Sequence, residues 1–296
     1  MERLKIDYIL DNDEEILKEM KQAYLDCAPA VKYCKELGIS DQEIDDNITK
    51  VFDFVTDINY CKKCPGLKKC DKPNAMLNSK IVYNYGMVDI QLSPCKELMK
   101  RVTFEKQFKV MDFEESLLDV TLKEINQNAG RKKALLKYNQ FIKIGLNEWI
   151  YLTGAHNSGR SYFASVLSVD AAKRMKGPIY FLNSPKRIQE LYDMSKNSNK
   201  EFIEQIDKLS NAPILVLDDF GNEYKNDYIR DAIIFPIISN RANKKLFTII
   251  TSDFTLQEIA TLYSTTKAGS IRANQIYKIM LAACKEEINL GEIEVY

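Results

Sequence analysis

Apolar positions follow two regimes along this chain. In the first sixty residues they recur at helical spacing. Ile16, Met20 and Tyr24 are four apart, which predicts a helix over 14–26. Ile44, Ile48, Val51, Phe52, Val55 and Ile58 mark one face of a second helix over 43–58. Ser40 and Glu43 have the spacing of a capping box at its start. From about residue 147 short apolar runs take over: WIYLT at 149, PIYFLN at 178, PILVLDD at 213 and LFTIITS at 246, with a weaker INLGEIEVY at 288. Helical stretches separate them. Continuous apolar strands between helices predict an α/β fold with a mostly parallel sheet covered on both faces.

The segment between these regimes has neither pattern. Residues 61–100 carry four cysteines, turn signals at Pro65-Gly66 and Pro73-Asn74, and two β-like runs, IVYNY and MVDIQL. So small a module needs a staple. Residues 106–140 are polar and read as a linker leading into helices. Their basic run includes Arg131, Lys132, Lys133 and Lys137, of which the first three read as a solvated surface, with DNA contact as the sharper alternative. The predicted organisation is a helical and cysteine-bearing region at 1–105, a linker at 106–140 and an α/β domain at 141–296.

Composition adds limits. With 45% hydrophobic and 28% charged residues in 296, the balance is that of a globular protein. No apolar run reaches the roughly 18 residues that suggest a membrane span, and no leader pattern opens the chain, so a cytoplasmic protein without a membrane partner is expected. Residues 1–60 hold 15 acidic and 7 basic side chains, while the remainder holds 27 and 35. An acidic start suits a protein surface, and a basic remainder tolerates phosphates.

Two segments carry candidate chemistry. The first strand of the α/β part runs into Gly154-Ala155-His156-Asn157-Ser158-Gly159-Arg160-Ser161. This follows the phosphate-binding template G-x-x-x-x-G-K-[ST] except that Arg160 replaces lysine. Backbone N–H groups of such a loop and the following helix N-terminus hold phosphate, and Ser161 is a candidate Mg²⁺ ligand. The plainer alternative is a glycine-rich turn. Fifty-seven residues after Arg160, Leu217 precedes Asp218 and Asp219 at the end of an apolar strand. Asp218 is the candidate metal ligand and Asp219 the candidate for orienting water. Two aspartates capping a turn are the alternative, and the pairing of both motifs favours the metal reading.

At these residues the chain resembles a family. VLDDFGNE, DYIRDAIIFPIISNR and LFTIITSDF are similar to the AAA+ P-loop NTPase module of bacterial replicative helicase loaders of the DnaI type, and NYCKKCPGLKKC with the later Cys95 is similar to their zinc module. The resemblance implies ATP and Mg²⁺ at Gly154, Asn157, Ser158, Gly159, Arg160 and Ser161, with Asp218 and Asp219 at the metal. It places a sensor at Asp253, where the family carries asparagine, and two arginines four apart on a late helix, where this chain has Arg272 and then Ile276. A carboxylate at 253 would repel a γ-phosphate that an amide would bind. Together these departures predict nucleotide binding with little hydrolysis.

The C-x₂-C knuckle Cys61–Cys64, with Cys70 and Cys95, provides four thiols for a structural Zn²⁺, against buried free thiols as the alternative. His156 lies in the phosphate loop and is a poor ligand candidate. Cys27, Cys34 and Cys284 are expected in the core. The implied role is a primosomal helicase loader. Its N-terminal part would bind the replicative helicase hexamer and its α/β part single-stranded DNA, with self-assembly on the helicase. A non-hydrolysing adaptor and a transposition helper ATPase are the alternatives.

Overall fold

The structure, a computed structural model, describes residues 3–291. It divides into a unit ending at Thr103 and a unit beginning at Phe104.

The first unit contains helices α1 (Arg3–Leu25), α2 (Ala28–Glu36), α3 (Asp41–Asp46) and α4 (Ile48–Cys61), the hairpin β1 (Leu77–Asn84) and β2 (Met87–Pro94), and the start of α5 (Lys96–Glu105). The capping box at Ser40 and Glu43 is formed. The single helix predicted over 43–58 is broken at Asn47, whose Nδ2 donates to the Glu43 carbonyl at 3.0 Å and competes with the helical ladder. Ile44, Ile48, Val51 and Val55 still share one core with Tyr24, Cys27, Cys34, Ile81 and Val88. The hairpin closes through Tyr85 and Gly86, both with positive φ, as a two-residue turn between strongly twisted strands requires.

The second unit contains β3 (Phe108–Met111), α6 (Ala129–Ile144), β4 (Ile150–Thr153), α7 (Arg160–Lys173), β5 (Ile179–Asn183), α8 (Ser184–Asn197), α9 (Asn199–Asn211) and β6 (Ile214–Asp218). After these come a π-helical stretch (Ile229–Ile234), α10 (Phe235–Asn243), β7 (Phe247–Thr251), α11 (Leu256–Leu262), α12 (Lys267–Cys284) and β8 (Glu287–Asn289). Pro236 lacks the N–H that an α-turn would use, and the π-stretch lies just before it. Among the described residues six strands form one parallel sheet in the order β3-β5-β6-β7-β4-β8. Strands β4, β6 and β7 are buried throughout, as their unbroken apolar runs predict. Two clusters of buried side chains fill the two faces of the sheet.

The expected linker is a correction. Residues 108–111 form the edge strand β3, and 129–144 form α6, so 106–140 belongs to the α/β unit. A four-residue strand owes its existence to its partner β5 rather than to its own composition. The chain leaves β4 toward β5 and returns from β7 to β8 on the other side. The carboxyl ends of β4 and β7 therefore flank the switch point where such sheets bind ligands.

Candidate functional site

The loop after β4 is shaped by backbone that few residues adopt. Gly154 has φ 154°, and a Cβ there would stand 2.7 Å from the Ser158 Oγ. Asn157 and Gly159 also have positive φ, and Gly159 leads directly into α7. The loop thus ends at a helix N-terminus, where backbone N–H groups favour anions. Inside it the buried Ser158 hydroxyl has no hydrogen-bond partner. These features fit a phosphate group.

Beside the loop, Asp218 ends β6 and is buried. Its Oδ1 accepts from the Thr251 hydroxyl at 2.6 Å. Burial pushes its carboxyl above the ordinary range, and hydrogen bonds from Thr251 and Ser161 oppose that rise. The Ser161 hydroxyl and the Asp218 carboxylate therefore stand within hydrogen-bonding reach of each other. That is the hard oxygen donor set Mg²⁺ takes, and the residues fit the ion. Asp219 follows in a left-handed conformation, its N–H held by Thr251 Oγ1 at 3.0 Å.

Arg160 departs from what its position suggests. Its guanidinium is turned into the protein. One Nη donates to the carbonyls of Gly154 at 2.7 Å and Ser252 at 2.5 Å, and the other pairs with Asp253. Asn222 donates to the second Asp253 oxygen at 2.7 Å. Burial works against the Asp253 charge, but Arg160 and Asn222 outweigh it and hold the carboxyl below its ordinary range. Asp253 is thus not a bare repulsive charge.

Arg272 is not gathered with these groups. Its Nε lies 3.6 Å from Asp231, its guanidinium stacks 3.9 Å over the Phe235 ring, and it donates to Gln275. Ile276 is buried in the core beneath α12, so that position serves packing.

Arg131 is a second correction. It is fully buried, and it donates to the Asn126 carbonyl at 2.9 Å and to the Ser158 carbonyl of the phosphate loop at 3.2 Å. Lys137 is buried too, paired with Glu148, and Lys133 pairs with Glu286. Half of the basic run therefore braces the fold instead of facing solvent. Replacing Arg131 with methionine is expected to destabilise the α/β unit by about 2 kcal/mol, since the buried bond to Ser158 and the part-buried bond to Asn126 lose their charged donor. Urea unfolding followed by the fluorescence of Trp149 measures it. An unchanged midpoint would show that the brace is dispensable.

The cysteines follow another logic. Among the described residues no three His, Cys, Asp or Glu side chains stand together as metal ligands, so the expected four-thiol Zn²⁺ site at Cys61, Cys64, Cys70 and Cys95 is not assembled. Cys64 and Cys95 lie within electrostatic range of Cys61. Burial nonetheless raises the Cys61 thiol, and its Sγ donates to Asn78 Oδ1 at 3.6 Å. Cys95 Sγ accepts the Leu98 N–H at 3.4 Å, and Cys64 is exposed. The staple seen here is an ion pair: buried Lys72 reaches Asp57 at 2.9 Å and Asn78 at 3.1 Å, tying α4 to β1. Cys27, Cys34 and Cys284 are buried, as expected.

Glu223 was not singled out by its position in the sequence. It is buried, its Oε2 accepts the Gly221 N–H at 2.9 Å, and its Oε1 has no partner. A glutamate four residues after Asp219, behind a glycine turn, was the available signal.

Comparison with known proteins agrees with this geometry. The replicative helicase loader DnaI of Bacillus subtilis is 22% identical over 264 residues, covering 86% of this chain and 84% of the relative. A crystal structure of DnaI superposes with a TM-score of 0.54 at 24% identity, over 62% of this chain and 97% of that one. A putative primosome component from Streptococcus pyogenes serotype M3 superposes with a TM-score of 0.52 at 19% identity, over 66% and 98%. Both superpositions show the fold. No helix of the described residues is long and apolar enough to cross a membrane. The family model of the IstB-like ATP binding proteins matches residues 96–270, which span the phosphate loop, the Asp218 strand and β7, and the chain belongs to that family.

Proposed function

We propose that this protein is a primosomal helicase loader. It binds the replicative DNA helicase, delivers it to single-stranded DNA, and senses a nucleotide rather than drawing on its turnover. One observation carries the reading: the likeness to the helicase loader DnaI runs through both units, over 86% of this chain, and is not confined to the nucleotide fold. A transposition helper sharing only the α/β module would leave the first unit unmatched.

The phosphate loop and the Ser161–Asp218 pair support nucleotide and Mg²⁺ binding. A bound nucleotide supplies charge and mass at the end of the sheet, and the chain's own groups do the rest. The loop amides orient the phosphates, Asp218 holds charge at the metal position, and Thr251 fixes both aspartates. Copies assembled on the helicase ring would sense the nucleotide together. The Arg160–Asp253 pair favours a second reading, a non-hydrolysing adaptor acting through protein contacts alone.

Capture of the replicative helicase by the full chain, followed by retention of that helicase on single-stranded DNA coated with single-strand binding protein, tests both. Retention raised tenfold or more, equally with ATP and with a non-hydrolysable analogue at saturating concentration, is expected. Failure to capture helicase would refute the loader. Retention that needs hydrolysable ATP would refute nucleotide sensing without turnover, and retention without any nucleotide would select the adaptor.

A further inference from the structure

Two departures from the phosphate-binding pattern lie 93 residues apart and meet in one ion pair. Arg160 opens α7 and Asp253 follows β7, the strand beside β4. The guanidinium is 6% exposed. Three of its five N–H groups are used by Asp253 and by the carbonyls of Gly154 and Ser252. Asn222, on the turn after β6, fixes the remaining Asp253 oxygen. The pair is therefore built from three segments around the mouth of the site.

Its electrostatic consequence follows from counting charge. The template puts a lysine ammonium at position 160. With a neutral amide at 253, the net charge beside a terminal phosphate would be one positive unit. Here the guanidinium and the carboxylate cancel. A triphosphate carries about one more negative charge than a diphosphate, and that extra charge falls where the compensating cation is missing. The forked guanidinium is already committed, so recruiting it would strip Asp253 and two backbone carbonyls of their donor. The groups that would hold the inner phosphates are separate from the side-chain charges of this pair. They are the loop amides, the α7 N-terminus, and Ser161 with Asp218.

The geometry points to a site selective for nucleoside diphosphates, with the Arg160–Asp253 pair as its specificity determinant. This inference rests on the nucleotide-binding part of the loader reading. It differs from a merely weakened ATPase site, which would keep the triphosphate preference at lower affinity. A helicase partner would be retained without any hydrolysis by the loader itself.

The test is a titration of the full chain with Mg²⁺ and a fluorescent ADP, competed by ADP and by a non-hydrolysable ATP analogue. ADP is expected to bind at least tenfold more tightly than the analogue. Asp253→Asn restores the positive unit, and is expected to shift the ratio of triphosphate to diphosphate affinity tenfold or more toward the triphosphate. Equal affinities in the native chain, or a preference for the analogue, would overturn the proposal whether or not the variant folds. A folded Asp253→Asn variant with an unchanged ratio would overturn the assignment to this pair. Failure of both nucleotides to bind would remove the proposal and the nucleotide-sensing reading together. Helicase capture, measured separately, would then still decide the loader role.

Discussion

Arg241→Met is expected to cost the α/β unit about 5 kcal/mol, enough to leave it largely unfolded at 37 °C. Arg241 lies on α10 and is fully buried. Its guanidinium donates to the carbonyls of Leu209 at 2.9 Å, Ala212 at 2.7 Å and Phe247 at 2.7 Å, and to the Thr248 hydroxyl at 3.0 Å. Burial lowers its pKa to about 9, still well above neutrality, so the group enters the core as a cation. Methionine fills much of the volume but donates nothing. Three carbonyls at the end of α9, before β6 and in β7 then lose their donor, at roughly 1–3 kcal/mol for each group left unsatisfied. Total stabilities of 5–15 kcal/mol leave little margin for that loss.

The consequence reaches the site because β6 and β7 carry Asp218 and Thr251 in register. Trp149, the only tryptophan, is buried in the same unit and donates its indole N–H to the Leu246 carbonyl beside β7. Its fluorescence in a urea titration reports this unit selectively. A loss below about 1 kcal/mol would mean that water reaches the three carbonyls and that Arg241 is not their necessary donor.

How much of this was legible follows from the range of each signal. Strands β4, β6 and β7 were readable because a doubly covered parallel strand must be apolar along its whole length, and each is. The phosphate loop was readable because its glycines and serine keep a fixed spacing. Strand β3 was not, since FKVM is short and partly exposed and owes its state to pairing with β5. Arg131 was read with its lysine neighbours as solvated. Local composition cannot show that a carbonyl 27 residues away needs a donor. Arg160 and Asp253 were each visible as departures, but read singly they suggested a substitute for lysine and a repulsive anion. Charge complementarity between the two was the unused clue. The cysteine spacing promised four ligands, yet spacing does not aim side chains, and Lys72 with Asp57 ties that region together here.

The second large effect concerns pH. Glu223 is buried beside the turn that follows Asp219, and burial raises its carboxyl pKa to about 7. Its own N–H, the Gly221 N–H and the Lys225 charge pull the value down, and the Asp219 charge adds to the rise. Tyr151, buried on β4, also lies within its electrostatic range. In the unfolded chain the same carboxyl titrates near its ordinary 4.5. Between those two values the unfolded state releases the proton and the folded state keeps it. The folded state therefore binds more protons, and this group's contribution to stability falls as pH rises from about 4.5 to 7. Beyond 7 both states are ionised and the penalty stays constant. A separation of about 2.5 pKa units corresponds to about 3 kcal/mol.

Glu223→Gln keeps an oxygen to accept the Gly221 N–H and removes the titration. Its amide leaves a buried N–H₂ where Glu223 Oε1 has no partner, so absolute stability at one pH mixes two effects. The difference in stability between variant and native chain isolates the titration. That difference is expected to move in favour of glutamine by about 3 kcal/mol between pH 4.5 and pH 8. Urea midpoints read by Trp149 at several pH values measure it. A flat difference would mean that the Glu223 carboxylate finds solvent when ionised. A fall in the opposite sense would mean that its negative charge is used by the fold, with the Lys225 charge supplying the compensation.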